Sequence, residues 1–229
     1  MHYAKTASKL REQIIKFSGE LSGGWPKVAR RFLAEAIYGI QARQSVHLTE
    51  IARALGEKIP LKKTQYRLSR QLGRDDLGRR VIKGLFDLAA PRVEKKTLLI
   101  LDISDIKKKY ARKMEHLARI RDGSEKTLAN GYWTIQVIAA EAGKTSLVPL
   151  YGSLYSQRSP YFQSENLELR WAINKVSEAT EKKGTWVMDR GETGTIFSIT
   201  YSPINSLFLF ACKRREILFT GQKRIQSGS

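Results

Sequence analysis

A chain of 229 residues that is 41% hydrophobic carries enough apolar mass for one large folded domain or two modest ones, and 41 Lys and Arg against 22 Asp and Glu give it a formal net charge of +19. Such an excess attracts a polyanion, nucleic acid first, and opposes self-association unless something neutralises it. A single cysteine, Cys212, excludes an internal disulfide; His2, His47 and His116 fit no Cys/His metal spacing; and no apolar run reaches the ~18 residues of a membrane span or forms the core of a secretory signal, so a cytoplasmic protein whose metal sites use carboxylates is expected.

Residues 1–96 read as helices. "KTASKLREQIIKF" groups Leu10, Ile14 and Ile15, and "VARRFLAEAIYGI" places Val28, Phe32, Ala36, Ile37 and Ile40 on one face. This part holds 21 basic and 9 acidic side chains and therefore most of the charge excess. Within it, Ser45–Gly73 contains two short amphipathic segments, Leu48–Leu55 and Lys62–Leu72, separated by Gly56 and Pro60. That spacing fits a helix-turn-helix, with Lys62, Lys63, Gln65, Arg67 and Arg70 on the second helix available for phosphates and base edges. An ordinary helical pair with basic solvent faces is the alternative.

After "RVEKKT" the pattern changes to short strands: "LLILDI" (98–103), "YWTIQVIAA" (132–140), "SLVPLYGSLY" (146–155), "TWVMD" (185–189) and "LFLFACK" (207–213). A helix between the third and fourth begins at Ser164 as N-cap, with Glu165 and Glu168 in its first turn. It buries Leu169, Ala172, Ile173 and Val176, and stops at Lys182, Lys183 and Gly184. The order is β-β-β-α-β, then a short helical segment and another strand. Residues 1–96 thus form a helical domain, and residues 97–229 an α/β domain around a mixed sheet. Trp133, Trp171 and Trp186 fall on these elements as core residues.

A helix joining strand three to strand four can return the chain parallel to strand one by the usual crossover. "LLILD" and "TWVMD" then become neighbours, each closing on an aspartate, Asp102 and Asp189, at the strand ends where α/β sheets place ligands. Two carboxylates brought together repel unless one takes a proton or a cation lies between them. Mg²⁺, with Mn²⁺ as its substitute, suits such hard oxygen donors, and this is the donor chemistry of two-metal phosphodiester cleavage.

"LLILDISDIKKKYARKMEHLARIRDG", "GYWTIQVIAAEAGKTSLVPLYGSLYS" and "GTWVMDRG" together resemble the first two catalytic segments of DDE-type transposases of bacterial insertion sequences. The resemblance spans about residues 45–215 and implies a ribonuclease-H-like catalytic domain behind a helical DNA-binding region. It makes Asp102 the first acid and metal ligand, and Asp189 the second. It also implies double-stranded DNA, the terminal inverted repeats of an element, as partner, with a homodimer assembling on that DNA. The family's third acid, a glutamate in a "Y..R..E" pattern on a later helix, has no counterpart up to Ser229: Glu192 lies too near Asp189, and Glu216 follows it by only 27 residues just after a strand. The expectation is the N-terminal portion of such an enzyme, its catalytic domain incomplete at the C-terminus and inactive in isolation.

Alternatives stand beside these assignments. Asp105, three residues on, competes with Asp102 as first acid. Lys107, Lys108, Lys109, Arg112 and Lys113 are either a solvated face or the entry of the DNA backbone. Arg190 either pairs with a phosphate near the scissile bond or holds a carboxylate. For the whole chain, a strand-transfer enzyme, a non-catalytic DNA-binding remnant and a ribonuclease-H-like hydrolase of another substrate remain in play.

Overall fold

The computed structural model describes the backbone of residues 3–189, 207–211 and 218–220 and the side chains of residues 8–188. Arg190, Glu192, Cys212, Glu216 and the short helical segment expected before the last strand lie outside the described residues. The chain divides into two compact units, Met1–Leu88 and Ala89–Ser229.

The first unit is helical: α1 (Tyr3–Leu21), α2 (Lys27–Arg43), α3 (Leu48–Leu55), α4 (Leu61–Leu72) and α5 (Leu77–Ala89), whose last residue enters the second unit. Punctuation is local. Pro26 and Pro60 precede α2 and α4, where a missing N–H costs nothing, while Gln44 and Gly56 close α2 and α3 in left-handed conformation. Leu21, Trp25, Ala29 and Leu33 form one core cluster, onto which Leu77, Val81, Leu85 and Leu88 of α5 pack. Phe32, Ile51, Ala52 and Leu68 form the second, joining α2, α3 and α4. The face of α2 is in part the expected one, since Phe32 is buried and Ala36 and Ile37 pack against the two clusters. Ala29, Phe32 and Leu33 are buried, whereas Val28 and Ile40 are exposed, as are Leu10 and Ile15 on α1 beside a buried Ile14. Two core clusters reach α2, so its buried stripe is wider than the longest apolar run suggests and takes in Ala29 and Leu33.

Arg67 holds this core at its polar edge. Its guanidinium pairs with Glu35 of α2 and, at 2.8 Å, with Glu57 beyond α3, while Thr64 Oγ1 donates to Glu57 at 2.7 Å and Arg31 reaches the same carboxylate at 2.6 Å. The hydrogen bond from Thr64, then that from Arg67, holds Glu57 below the usual glutamate range.

The second unit opens with a 3-10 turn, Ala90–Arg92. It continues with β1 (Leu98–Lys107), β2 (Ala118–Arg121), β3 (Leu128–Ala140), β4 (Leu147–Tyr155), α6 (Glu165–Ala179), β5 (Thr185–Asp189), β6 (Leu207–Ala211) and β7 (Leu218–Thr220). The sheet order is β2-β3-β1-β5-β6-β7, with β4 on the same edge of β3 as β2. β3 is antiparallel to β1, β2 and β4; β5 is parallel to β1, and β6 to β5. Strict alternation marks one sheet face: Leu99, Leu101, Ile135 and Val137 are at most 2% exposed, as are Leu169, Ala172, Ile173 and Val176 of α6. Ser164 caps α6 by accepting the Leu167 N–H at 3.2 Å. Trp186 is buried and Trp133 half-buried, but Trp171 is 44% exposed, because α6 turns its opposite flank to the core.

How β5 reaches β1 is decided in five residues. Thr180 ends α6 with its hydroxyl on the Val176 carbonyl at 2.9 Å; Glu181 and Lys182 then take positive φ, and Gly184 sits at φ +95°. A Cβ at Gly184 would lie 2.7 Å from Leu99 Cγ, so only glycine allows both the turn and the approach to β1. The Thr185 N–H then donates to the Thr97 carbonyl at 2.8 Å and starts the parallel ladder.

Two expectations follow for the intact chain in urea unfolding. Gly184→Ala combines left-handed strain with a clash against buried Leu99 and should cost about 2–5 kcal/mol. Gly143→Ala, at φ +80° with open space around it, should cost only the strain, about 1–2 kcal/mol. Equal losses would refute close packing as the reason for glycine at 184. Glu57 carries a depressed pKa, so its stabilisation is complete above the ordinary glutamate value of about 4.3 and is lost as pH falls through the folded value. Glu57→Gln should therefore lose about 1–3 kcal/mol at pH 7 and show a shallower decline between pH 6 and 3 than the parent; parallel pH curves would exclude this linkage.

Candidate functional site

In the first unit the candidate surface is α4. At 100° per residue, Lys62, Tyr66, Arg70 and Lys63 fall within about 100° of arc, opposite buried Thr64 and Leu68. All four are exposed, and Lys62 Nζ lies 5.9 Å from the centre of the Tyr66 ring. Among the described residues none of the three cations pairs with a carboxylate. Gln65 is half-buried at the margin of this face. Arg67, expected on it, is instead occupied by Glu35 and Glu57 and serves the unit's own packing. α3 and α4 are consecutive helices joined by the Gly56–Pro60 turn and packed on α2 through Phe32, Ile51 and Leu68.

In the second unit, Asp102 does not close its strand. β1 runs on to Lys107 because Ile103 and Ile106 extend a pattern that pairs with β3 as far as Lys107↔Gly131. What ends near Asp102 is the other ladder: β1 pairs with β5 at Leu98↔Thr185, Leu99↔Trp186 and Ile100↔Val187. Continued two residues, that register sets Asp102 level with Asp189, the last residue of β5. The Asp102 side chain is exposed, and its Oδ2 accepts the Ser104 hydroxyl at 2.6 Å from the same strand face. No described cation pairs with it. Asp105 has the opposite parity, and its Oδ1 accepts the Gly123 N–H at 3.1 Å, fastening the β2–β3 turn. Carboxylate oxygens are hard donors of the kind that Mg²⁺ or Mn²⁺ takes; the Asp189 side chain lies outside the described residues. No cluster of three or more potential ligands occurs among the described residues.

The basic run after β1 separates into two parts. Lys107 is engaged, its ammonium bridging Asp122 at 2.8 Å and Glu125 at 2.5 Å; these partners raise its pKa, and the hydrogen bonds from Lys107 and then from Ser124 hold Asp122 well below the usual carboxylate range. Lys109, Arg112 and Lys113 are exposed and Lys108 half-buried. The loop carrying them is fastened to the sheet three times. Asn130 Nδ2 donates to the Ala111 carbonyl at 3.0 Å, the Tyr132 hydroxyl to that of Glu115 at 2.6 Å, and the Ser156 hydroxyl to that of His116 at 2.5 Å. Its charges are thus presented by a fixed backbone.

Sequence reasoning missed a cleft of about 570 Å³ between this loop, β4, the segment after it and the flank of α6 that bears Glu168 and Trp171. The aromatic pair in "SPYFQ", set among turn residues, was its only local signal. Among the described residues no helix is long and apolar enough to cross a membrane.

Compared with known proteins, the chain matches no family, and no curated protein matches it. Among solved structures it is similar to a chain in the crystal structure of the Mos1 strand transfer complex, with 12% identity and a TM-score of 0.26. The match covers 81% of this chain and 59% of that one. This chain therefore spans about three fifths of that chain's length.

Proposed function

We propose that this chain binds duplex DNA through the α4 face and carries two catalytic carboxylates, Asp102 and Asp189, of a DDE-type DNA transposase on a ribonuclease-H-like sheet. The observation that supports the reading is the β1–β5 register from Leu98↔Thr185 to Ile100↔Val187, which, continued two residues, would set the two aspartates level. Four strands paired antiparallel around β3, a helix and a strand returning parallel beside the first support the sheet assignment.

Asp102, held by Ser104, and Asp189 would share a divalent cation, which relieves the repulsion of two carboxylates in one place. When bound, Mg²⁺ or Mn²⁺ supplies Lewis-acid activation of an attacking water or 3′-hydroxyl and stabilises the leaving oxygen in phosphodiester cleavage and strand transfer. Lys109, Arg112 and Lys113 stand on a fastened loop beyond the end of β1, where they can neutralise phosphates and set the position of a strand without reading its sequence. Lys62, Lys63 and Arg70 do the same on α4, with Gln65 at the edge available to a base. A non-catalytic DNA-binding role, carried by the exposed cations of α4 without the carboxylates, is the second reading.

The two halves of the reading have separate tests. Binding of the whole chain to duplex DNA should weaken steeply with salt. In Lys62→Ala/Lys63→Ala/Arg70→Ala the log–log slope should shrink by about 2–3, one phosphate contact for each cation lost; an unchanged slope places the footprint elsewhere. Fe²⁺ substituted for Mg²⁺, with hydrogen peroxide as oxidant and ascorbate to recycle the iron, should generate hydroxyl radicals that cut the backbone near residues 102 and 189, with both cuts lost in Asp102→Asn. Cutting that survives this substitution would remove Asp102 from the site.

A further inference from the structure

The cleft beside the β1–β2 loop has a composition that the proposed carboxylate chemistry does not use. Tyr161, 82% exposed, and Trp171, 44% exposed, both line it, although rings of this size ordinarily bury most of their area. Trp171 and Glu168 stand three residues apart on one side of α6, Glu168 half-buried at the edge of the buried stripe and Trp171 further round toward solvent. Burial raises the Glu168 pKa, while Lys175, one turn beyond Trp171, opposes that shift. Across the cleft, Lys108 leads into the loop that displays Lys109, Arg112 and Lys113. Glu115, paired with His116 at 3.4 Å, is the other acid on its wall.

Exposed ring faces, a carboxylate acceptor and a basic rim match three parts of one ligand. Aromatic faces stack any base; a carboxylate accepts from an exocyclic amino group; the rim neutralises the phosphates on either side. A base inside duplex DNA has both faces covered by its neighbours and cannot present one to a ring in a cleft. We propose that this cleft binds an unpaired nucleobase of a DNA strand, stacked on Trp171 and Tyr161 with its amino edge toward Glu168. Ile106 lines the cleft four residues beyond Asp102 on β1, about 13 Å along the strand. A strand running past the carboxylates can therefore place an extruded base here. The proposal rests on the DNA-binding reading for its polymer but not on the cation site.

The test uses the whole chain and a single-stranded oligonucleotide carrying one 2-aminopurine. Binding should quench the probe by stacking. Trp171→Ala/Tyr161→Ala should abolish the quench and weaken single-strand binding about tenfold or more, while leaving duplex affinity, carried by α4, unchanged. Trp171→Phe/Tyr161→Phe, which keeps the rings, should retain the quench and separates stacking from any loss of fold in the alanine variant. Glu168→Gln should weaken binding to adenine- or cytosine-containing strands more than to thymine-only strands. A quench unaffected by the alanine pair, or lost equally in the phenylalanine pair, overturns the cleft assignment. Duplex binding with no quench in the parent chain overturns the cleft alone, and binding to neither form overturns the DNA reading as well.

Discussion

The parallel pairing of β5 with β1 is the constraint on which the second unit depends. α6 must end, reverse and deliver a strand within five residues, and the chain does so by capping with Thr180, spending three positive φ angles and leaving no side chain at Gly184 where Leu99 presses against it. Once Thr185 donates to the Thr97 carbonyl, the register of every later residue on β5 is fixed, because a slip of one residue would turn buried Trp186 and Met188 out of the core. Continued two residues beyond Ile100↔Val187, the same register would set Asp189 level with Asp102. Packing and the proposed chemistry therefore share one determinant.

Charge is partitioned in a similar way. A net +19 leaves many cations without an acid, yet the structure spends some of them internally: Arg67 joins α4 to α2 and the end of α3, and Lys107 closes the β2–β3 turn on Asp122 and Glu125. The pairs of Arg67 and the Lys107–Asp122 pair are held by short hydrogen bonds at positions with limited solvent access, where ionic contacts are screened less, whereas Glu125 is exposed. Lys62, Lys63, Arg70, Lys109, Arg112 and Lys113 are left exposed on a packed helix and a fastened loop. Preset positions lower the ordering cost of meeting a polyanion.

Much of this was legible in the sequence wherever the signal was local. The α3–α4 pair was marked by Gly56 and Pro60, the start of α6 by Ser164, and β5 by its apolar run between Gly184 and Asp189. β2 was missed because "ARIR" alternates over only four residues, and its pairing with β3 is what makes it a strand. β1 was cut short at Ile103 because Ser104, Asp105 and Lys107 are polar, although the antiparallel ladder to β3 carries it onward. Arg67 could not be separated from Lys63 by residue type; only the fold brings Glu35 and Glu57 to it. Trp171 was assigned to the core on hydrophobicity, and the helix phase set by Leu169, Ala172, Ile173 and Val176 turns it outward.

The central claim is that Asp102 and Asp189 converge on one cation. The most direct measurement is anomalous X-ray scattering from crystals of the whole chain soaked in Mn²⁺. The account requires a peak between the two strands with an oxygen from each carboxylate at coordination distance, about 2.1–2.2 Å. Well-ordered carboxylates with no peak between them, or pointing to opposite faces of the sheet, would contradict it.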